Sequence, residues 1–168
     1  MGSEMCIRDR AEAQAQLKPW EDRAPAIAAD EYQARIEHAR ALMQAQGVDA
    51  LLVGAGTSLR YFSGVPWGAT ERLVGLLLTL SGEPLLVCPV FEEGSLDAVL
   101  KLPAGKRLWE EHDDPYALVA AVMAERGART LALDPGTAFG VHTGLARHLP
   151  AAVIGDATAI IDGCRMCK

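Results

Sequence analysis

Residues 49–64 read Asp49-Ala50-Leu51-Leu52-Val53, then Gly54-Ala55-Gly56-Thr57-Ser58, then Leu59-Arg60-Tyr61-Phe62-Ser63-Gly64. The first five residues have the apolar composition of a buried strand, and the glycines that follow permit a sharp turn. After a polar loop come two apolar runs, Leu73 to Leu80 and Pro84 to Pro89, separated by Ser81-Gly82-Glu83. Apolar runs joined by a few residues that include glycine predict a β-hairpin. We therefore expect a strand, a helical turn, a loop and a hairpin.

Helix and strand patterns alternate on both sides of this segment. Upstream, Tyr32, Ile36, Ala39 and Met43 share one helix face, which Asp30 is predicted to cap and Gly47 to end. Downstream, helices are predicted over 91–102, 115–126, 141–149 and from 158, and strands over 106–110, 130–133 and 152–154. This alternation predicts an α/β fold with three layers: a mixed, mostly parallel sheet of about six strands with one antiparallel hairpin, and helices on both faces.

The order of these elements resembles the N-terminal domain of the creatinase, prolidase and aminopeptidase P family, the pita-bread metallopeptidases. The resemblance rests on the Asp49-to-Leu52 strand, the Tyr61-to-Gly64 turn, the aromatic and basic loop, the hairpin, and the final residues 162–168. Those final residues, Asp162-Gly163-Cys164-Arg165-Met166-Cys167-Lys168, are similar to the family's Leu-Arg-x-x-Lys helix. The predicted division is a non-native or disordered leader (1–19), the family-like domain (20–163) and the start of a hinge (164–168).

The resemblance implies that the chemistry lies outside this chain. Members such as bacterial Xaa-Pro dipeptidases and aminopeptidases hydrolyse substrates at two divalent metal ions (Mn, Co or Zn). Two Asp, one His and two Glu hold these ions in a C-terminal domain, which is expected to begin after Lys168. No residue of this chain matches one of those ligands, so we expect no catalytic residue, no metal and no cofactor here. The implied substrate is an X-Pro peptide, creatine or another small amide.

The loop before the hairpin contains Trp67, Glu71 and Arg72. An arginine fork suits a carboxylate, and a tryptophan offers a rigid apolar wall. The resemblance implies that Trp67, Arg72 and Tyr61 restrict substrate access, in a loop that reaches toward the active site of a neighbouring subunit. The implied partners are therefore the chain's own catalytic domain and a second subunit. A simpler interpretation has Trp67 shielding the hairpin and Arg72 in a surface ion pair, with Glu71 balancing its charge.

Other motifs leave two alternative functions open. Gly54 to Ser58 follows a strand and precedes a helical turn, so this loop is the candidate site of a stand-alone module that binds a small anionic ligand. Leu59 stands where the dinucleotide fingerprint requires its third glycine. Cys164 and Cys167 have the spacing of a redox dithiol. The acidic segment 110–114 is interpreted as a solvated loop, because consecutive residues do not converge on one ion.

The totals limit the class of protein. A chain of 168 residues fits one domain, and a net charge of −6 argues against nucleic-acid binding. No window approaches the roughly 18 apolar residues of a membrane span. The four cysteines (Cys6, Cys88, Cys164 and Cys167) are not expected to form a disulfide framework, and because the first residues contain no apolar h-region, no secretory signal is expected. The expected location is the cytoplasm.

Overall fold

The computed structural model describes residues 12–18 and 24–166. Its strands are β1 (Ala50–Gly54), β2 (Gly75–Thr79), β3 (Leu85–Pro89), β4 (Gly105–Trp109), β5 (Thr130–Leu133) and β6 (Val153–Asp156). Its longer helices are α1 (Ala29–Gln46), α2 (Thr57–Ser63), α3 (Glu93–Asp97), α4 (Pro115–Glu125), α5 (Phe139–His148) and α6 (Thr158–Met166), with a 3-10 turn at Val90–Glu92. Of the helices described, none is both long and apolar enough to cross a membrane.

The strands form one sheet in the order β4-β3-β2-β1-β5-β6. β2 runs antiparallel to both β1 and β3, and the pairs β3/β4, β1/β5 and β5/β6 are parallel. This confirms a mixed, mostly parallel sheet of six strands with an antiparallel hairpin. The carboxyl ends of β1, β3, β4, β5 and β6 and the entry to β2 consequently share one edge, which we call the carboxyl edge.

Alternate residues of the strands supply two apolar cores. Leu51 and Val53 of β1 face the core beneath α1, α2 and α6, whereas Ala50 and Leu52 face the core beneath α4 and α5. The helix face predicted from Tyr32, Ile36, Ala39 and Met43 is buried in the first core. Helices therefore cover both faces, which confirms the three-layer arrangement.

Two local predictions were wrong. Asp30 does not cap α1: the cap is Ala28, which offers no side-chain hydrogen bond, and Asp30 lies in the first turn, where the helix dipole favours an acid. The helix predicted over 91–102 is instead the 3-10 turn and the short α3. The chain leaves this helix because Lys101 N–H donates to Ser63 O (2.9 Å) and Pro103 disfavours helical geometry at Leu102.

Several predicted helix ends were correct. Asp114 caps α4, with its Oδ1 accepting from Tyr116 N (2.9 Å) and Ala117 N (3.3 Å), and Pro115 is the first helical residue. Gly47 ends α1 in the left-handed conformation, as predicted.

α6 continues to Met166, so the predicted boundary between residues 163 and 164 falls inside a helix. Trp20, the predicted start of the domain, lies outside the described residues.

Asp49, at the start of the motif that opens β1, joins two strands. Its Oδ2 accepts from the backbone N–H groups of Arg129 (2.8 Å) and Thr130 (3.0 Å), and its own N–H donates to Thr130 Oγ1 (2.7 Å). The hydrogen bond from Arg129 is the main cause that lowers the pKa of Asp49 below its ordinary value. The carboxylate thus fixes the beginning of β1 against the beginning of β5.

Replacing this carboxylate tests its role. We expect Asp49→Ala to lower the free energy of unfolding by about 1–2 kcal/mol at pH 7, since two hydrogen bonds to a charged group are lost. Because folding lowers the pKa of Asp49, its contribution is present above the unfolded pKa of about 4 and is lost as the pH falls through the folded pKa. Denaturant unfolding at pH 7 and pH 3 measures the difference.

The exposed Asp162 on α6 provides a matched control. Asp162→Ala should change the free energy of unfolding by less than about 0.5 kcal/mol at either pH. An Asp49→Ala effect of the same size at pH 7 and pH 3 would contradict a charge-dependent role for Asp49.

Candidate functional site

The loop between α2 and β2, residues 65–74, lies at the carboxyl edge, and we call it the edge loop. At its start, Gly64 adopts a left-handed conformation (φ 77°), and its N–H donates to Arg60 O (2.9 Å). At its end, the buried indole of Trp109 donates from Nε1 to Leu73 O (3.1 Å). Residues 68–71 between these anchors are exposed. The loop is therefore a short projection held at both ends by the rigid sheet.

Arg72 is engaged by two carboxylates. Its Nε and Nη2 contact Glu111 Oε1 at 3.1 and 2.7 Å, and its Nη1 contacts Glu71 Oε1 at 2.9 Å. The hydrogen bond to Glu111 is the main cause that raises the pKa of Arg72. The guanidinium carbon also lies 5.4 Å from the centre of the Phe91 ring. This geometry agrees with the ion-pair interpretation of Arg72 and adds an aromatic neighbour.

Trp67 and Tyr61 both pack, partly buried, against the first core. Trp67 is half-buried against the first core, in agreement with a shielding role. Tyr61 lies in α2 rather than in the loop, because the helix continues to Ser63 before Gly64 ends it. Its hydroxyl donates to Cys164 O in α6 (2.7 Å). The structure therefore brings Trp67 and Arg72 into one loop but places Tyr61 at a helix-to-helix contact.

Sequence reasoning missed two residues of this site, Phe91 and Glu111. Phe91 is 58% exposed, an unusual position for a large apolar side chain. Phe91 stands two residues after β3 and Glu111 two residues after β4, so the parallel pairing of these strands brings both to the carboxyl edge. The apolar Val90-Phe91 pair just after a strand was the available signal, but the pattern was assigned to an amphipathic helix.

The Gly54–Ser58 loop offers little room for a ligand. Ala55 N–H already donates to Val74 O (3.0 Å), and the helix that follows has seven residues. The cavity beside it, between Gly54, Arg72 and Thr137, has a volume of about 70 Å³. Sites for small organic ligands measure roughly 300–1,000 Å³. The geometry thus gives no specific support to an anion site at this loop.

The part of the chain that is described contains no assembled metal-binding site or reactive-thiol site. Across residues 12–18 and 24–166, no three His, Cys, Asp or Glu side chains are grouped so that they could hold a metal ion. In the acidic segment, Asp114 caps α4 and its Oδ2 lies 2.8 Å from His148 Nε2. Cys88 is buried, and this desolvation raises the pKa of its thiol to about 12. Cys164 is also buried, and Cys167 and Cys6 lie outside the described residues.

The sequence matches a family model described as the creatinase/prolidase N-terminal domain over residues 35–167. Among curated proteins, the probable dipeptidase PepE of Mycobacterium tuberculosis is 32% identical over 108 residues. That match covers 63% of this chain and 29% of the mycobacterial protein. The chain thus corresponds to less than a third of the length of the curated relatives it matches.

Solved structures show the same fold. Dipeptidase PepE from Mycobacterium ulcerans matches with a TM-score of 0.73 and 30% identity, covering 86% of this chain and 39% of that one. The N-terminal domain of Xaa-Pro dipeptidase from Lactobacillus brevis matches with a TM-score of 0.66. At 18% identity this second likeness shows the fold alone, and it covers 77% of this chain and 98% of that one.

The anchor at the end of the edge loop can be removed without deleting an aromatic ring. Trp109→Phe leaves Leu73 O without its indole donor, and we expect the free energy of unfolding to fall by about 1–2 kcal/mol. Local opening of the loop should also speed amide hydrogen exchange of the Leu73 N–H region by about tenfold. Denaturant unfolding and hydrogen exchange measure the two effects.

Trp67→Phe is the control in the same loop, because it keeps an aromatic ring against the first core. We expect it to leave exchange at residues 72–74 unchanged within about twofold. Equal exchange rates in Trp109→Phe and the wild type would contradict the anchoring role of Trp109.

Proposed function

This chain belongs to the creatinase/prolidase N-terminal domain family, and we propose that it is the non-catalytic N-terminal domain of a metal-dependent Xaa-Pro peptidase-like hydrolase. The observation that carries the proposal is the family match, which extends over most of the chain while the chain spans a minor part of its dipeptidase relatives. The role of this domain is contact with a second subunit and restriction of access to the substrate site.

The hydrolytic chemistry of this proposal belongs to a C-terminal catalytic domain. Two divalent metal ions bound there would make a bridging water nucleophilic. In this proposal the domain acts by contact and shape, and the described residues contain no cluster of three His, Cys, Asp or Glu side chains that could hold a metal ion. We expect the purified chain to hydrolyse no Xaa-Pro dipeptide when Mn²⁺, Co²⁺ or Zn²⁺ is added, as measured by release of proline.

Control reactions contain each metal without the chain, and the chain with the metals removed by chelation. Metal-dependent hydrolysis that co-elutes with the chain through two chromatographic steps would contradict a non-catalytic domain.

The surface that suits a subunit contact consists of residues 68–72 of the edge loop together with Phe91. Aromatic residues and arginine are enriched in the cores of protein interfaces. Here the Phe91 ring and the Arg72 guanidinium are neighbours (5.4 Å), and both are substantially exposed. The sheet and the Trp109 anchor hold this surface rigidly, which lowers the entropy cost of binding.

The same surface can restrict a substrate site on the neighbouring subunit. The exposed residues 68–71 project from the edge, with the half-buried Trp67 as an apolar wall behind them. A peptide carboxylate arriving at this loop can replace Glu111 at the Arg72 fork, since a bidentate arginine–carboxylate pair is favourable in a desolvated site. Such a wall limits the length of peptide that fits.

Self-association of the chain tests the contact. We expect a concentration-dependent dimer or larger species in sedimentation equilibrium, because the exposed apolar surface seeks a partner. Phe91→Ser should weaken this association at least tenfold, as expected for an aromatic residue central to a contact.

Val153→Ser is the matched control. Val153 is 68% exposed and is the first residue of β6, the outermost strand. It therefore lies at the amino end of that strand, away from the carboxyl edge. This variant should associate like the wild type. A monodisperse monomer at high concentration, or association unchanged in Phe91→Ser, would contradict a subunit contact through the edge loop.

A further inference from the structure

A second and larger cavity lies away from the ion pair of Arg72, between α1, α2 and α6. It has a volume of about 540 Å³, within the range typical of small-molecule sites. Its polar and aromatic lining consists chiefly of Tyr32, Arg35, Arg60, Tyr61, Lys101 and Arg165. Four cationic side chains therefore converge on one cavity in a chain whose net charge is −6.

Among the described residues, three of the four cations that line this cavity have no acidic partner. No Asp or Glu occurs among the described residues that line it. Arg35 is paired with Glu31, but Arg60, Lys101 and Arg165 form no ion pair with any residue in the described ranges. Like charges held around one cavity repel each other, and a bound anion would relieve that repulsion.

Tyr61 connects the helices that carry three of these four cations. The bond from the Tyr61 hydroxyl to Cys164 O (2.7 Å) joins α2 to α6, and Arg60 and Arg165 are the immediate chain neighbours of these two residues. Arg35 Nη1 donates to Tyr61 O (2.7 Å), and its guanidinium lies 4.2 Å from the centre of the Tyr61 ring. Tyr61 thus contacts Arg35 directly and joins the two helices that carry Arg60 and Arg165.

Lys101 reaches the cavity because Gly64 has no side chain. A Cβ atom added to Gly64 would lie 2.4 Å from Lys101 Cγ and 3.1 Å from the Tyr32 hydroxyl. The Lys101 N–H bond to Ser63 O (2.9 Å) fixes the lysine backbone beside the same turn. The glycine that ends α2 therefore also makes room for the lysine stem.

We propose that this cavity, lined by Arg35, Arg60, Lys101 and Arg165, binds a small organic anion that carries carboxylate or phosphate groups. Arginine forks bind such groups through paired N–H donors, and lysine adds a point charge. The Tyr32 and Tyr61 rings provide flat walls for the remainder of the molecule. The inference does not depend on the peptidase proposal, because it uses neither the edge loop nor the catalytic domain.

Binding is tested with citrate and with inorganic phosphate, against sodium chloride at equal ionic strength. We expect saturable binding of at least one of the two anions by titration calorimetry. At about 100 times its dissociation constant, that anion should raise the melting temperature by about 5–10 °C, whereas chloride should not. Failure of both anions to bind saturably would overturn the proposal.

Variants locate the site. Arg60→Gln combined with Arg165→Gln should weaken binding at least tenfold, and Lys101→Gln about fivefold, with circular dichroism showing that each variant remains folded. Arg147→Gln removes an exposed cation of α5 that does not line the cavity, and it should bind like the wild type.

Arg72→Gln separates this cavity from the Gly54–Ser58 loop, whose small cavity Arg72 lines. We expect it to leave anion affinity unchanged within about twofold, which corresponds to well under 1 kcal/mol. Loss of binding in Arg72→Gln, or wild-type affinity in the Arg60 and Arg165 double variant, would overturn the assignment of the site.

Discussion

β2 lies antiparallel between β1 and β3, and this insertion determines which loops meet at the carboxyl edge. A chain that leaves β1 at the carboxyl edge must enter β2 at that same edge, so the intervening α2 and edge loop stay there. Gly75 makes the entry possible, since a Cβ atom at this residue would lie 2.7 Å from Val53 O. The reversed strand therefore places the edge loop beside the ends of β3 and β4, where Phe91 and Glu111 meet Arg72.

The short helix α2 links the two surfaces to which we assign functions. Its final turn leads through Gly64 into the edge loop. Its outer side contributes Arg60 and Tyr61 to the cavity proposed as an anion site, which we call the basic cavity. Phe62 and Leu59 on its inner side are fully buried in the first core. Because the inner side is fixed by packing, both surfaces keep a defined geometry without a ligand. An anion site on α2 and a subunit contact on the adjoining edge loop can therefore coexist.

The sequence predicted the layers and most strands because apolar runs and glycine turns are local signals. The helix start at Asp114-Pro115 and the helix end at Gly47 were predicted for the same reason. The cap at Asp30 was predicted wrongly, because several residues near a helix start can serve as caps. The candidate functional sites were harder to predict from the sequence. Trp67 and Arg72 stood out as residue types, but the Arg72 partners Glu111 and Phe91 lie just after two other strands. The basic cavity gathers residues from 35 to 165, and no local pattern reveals such a grouping.

We propose that this domain serves a larger metal-dependent hydrolase. The most direct test is the nucleotide sequence that follows the Lys168 codon in the source genome. Our account predicts an open reading frame that continues into a domain with spaced Asp, Asp, His, Glu and Glu residues able to bind two metal ions. A stop codon directly after Lys168 in the intact genome would contradict it, and a stand-alone binding domain would then be the better description.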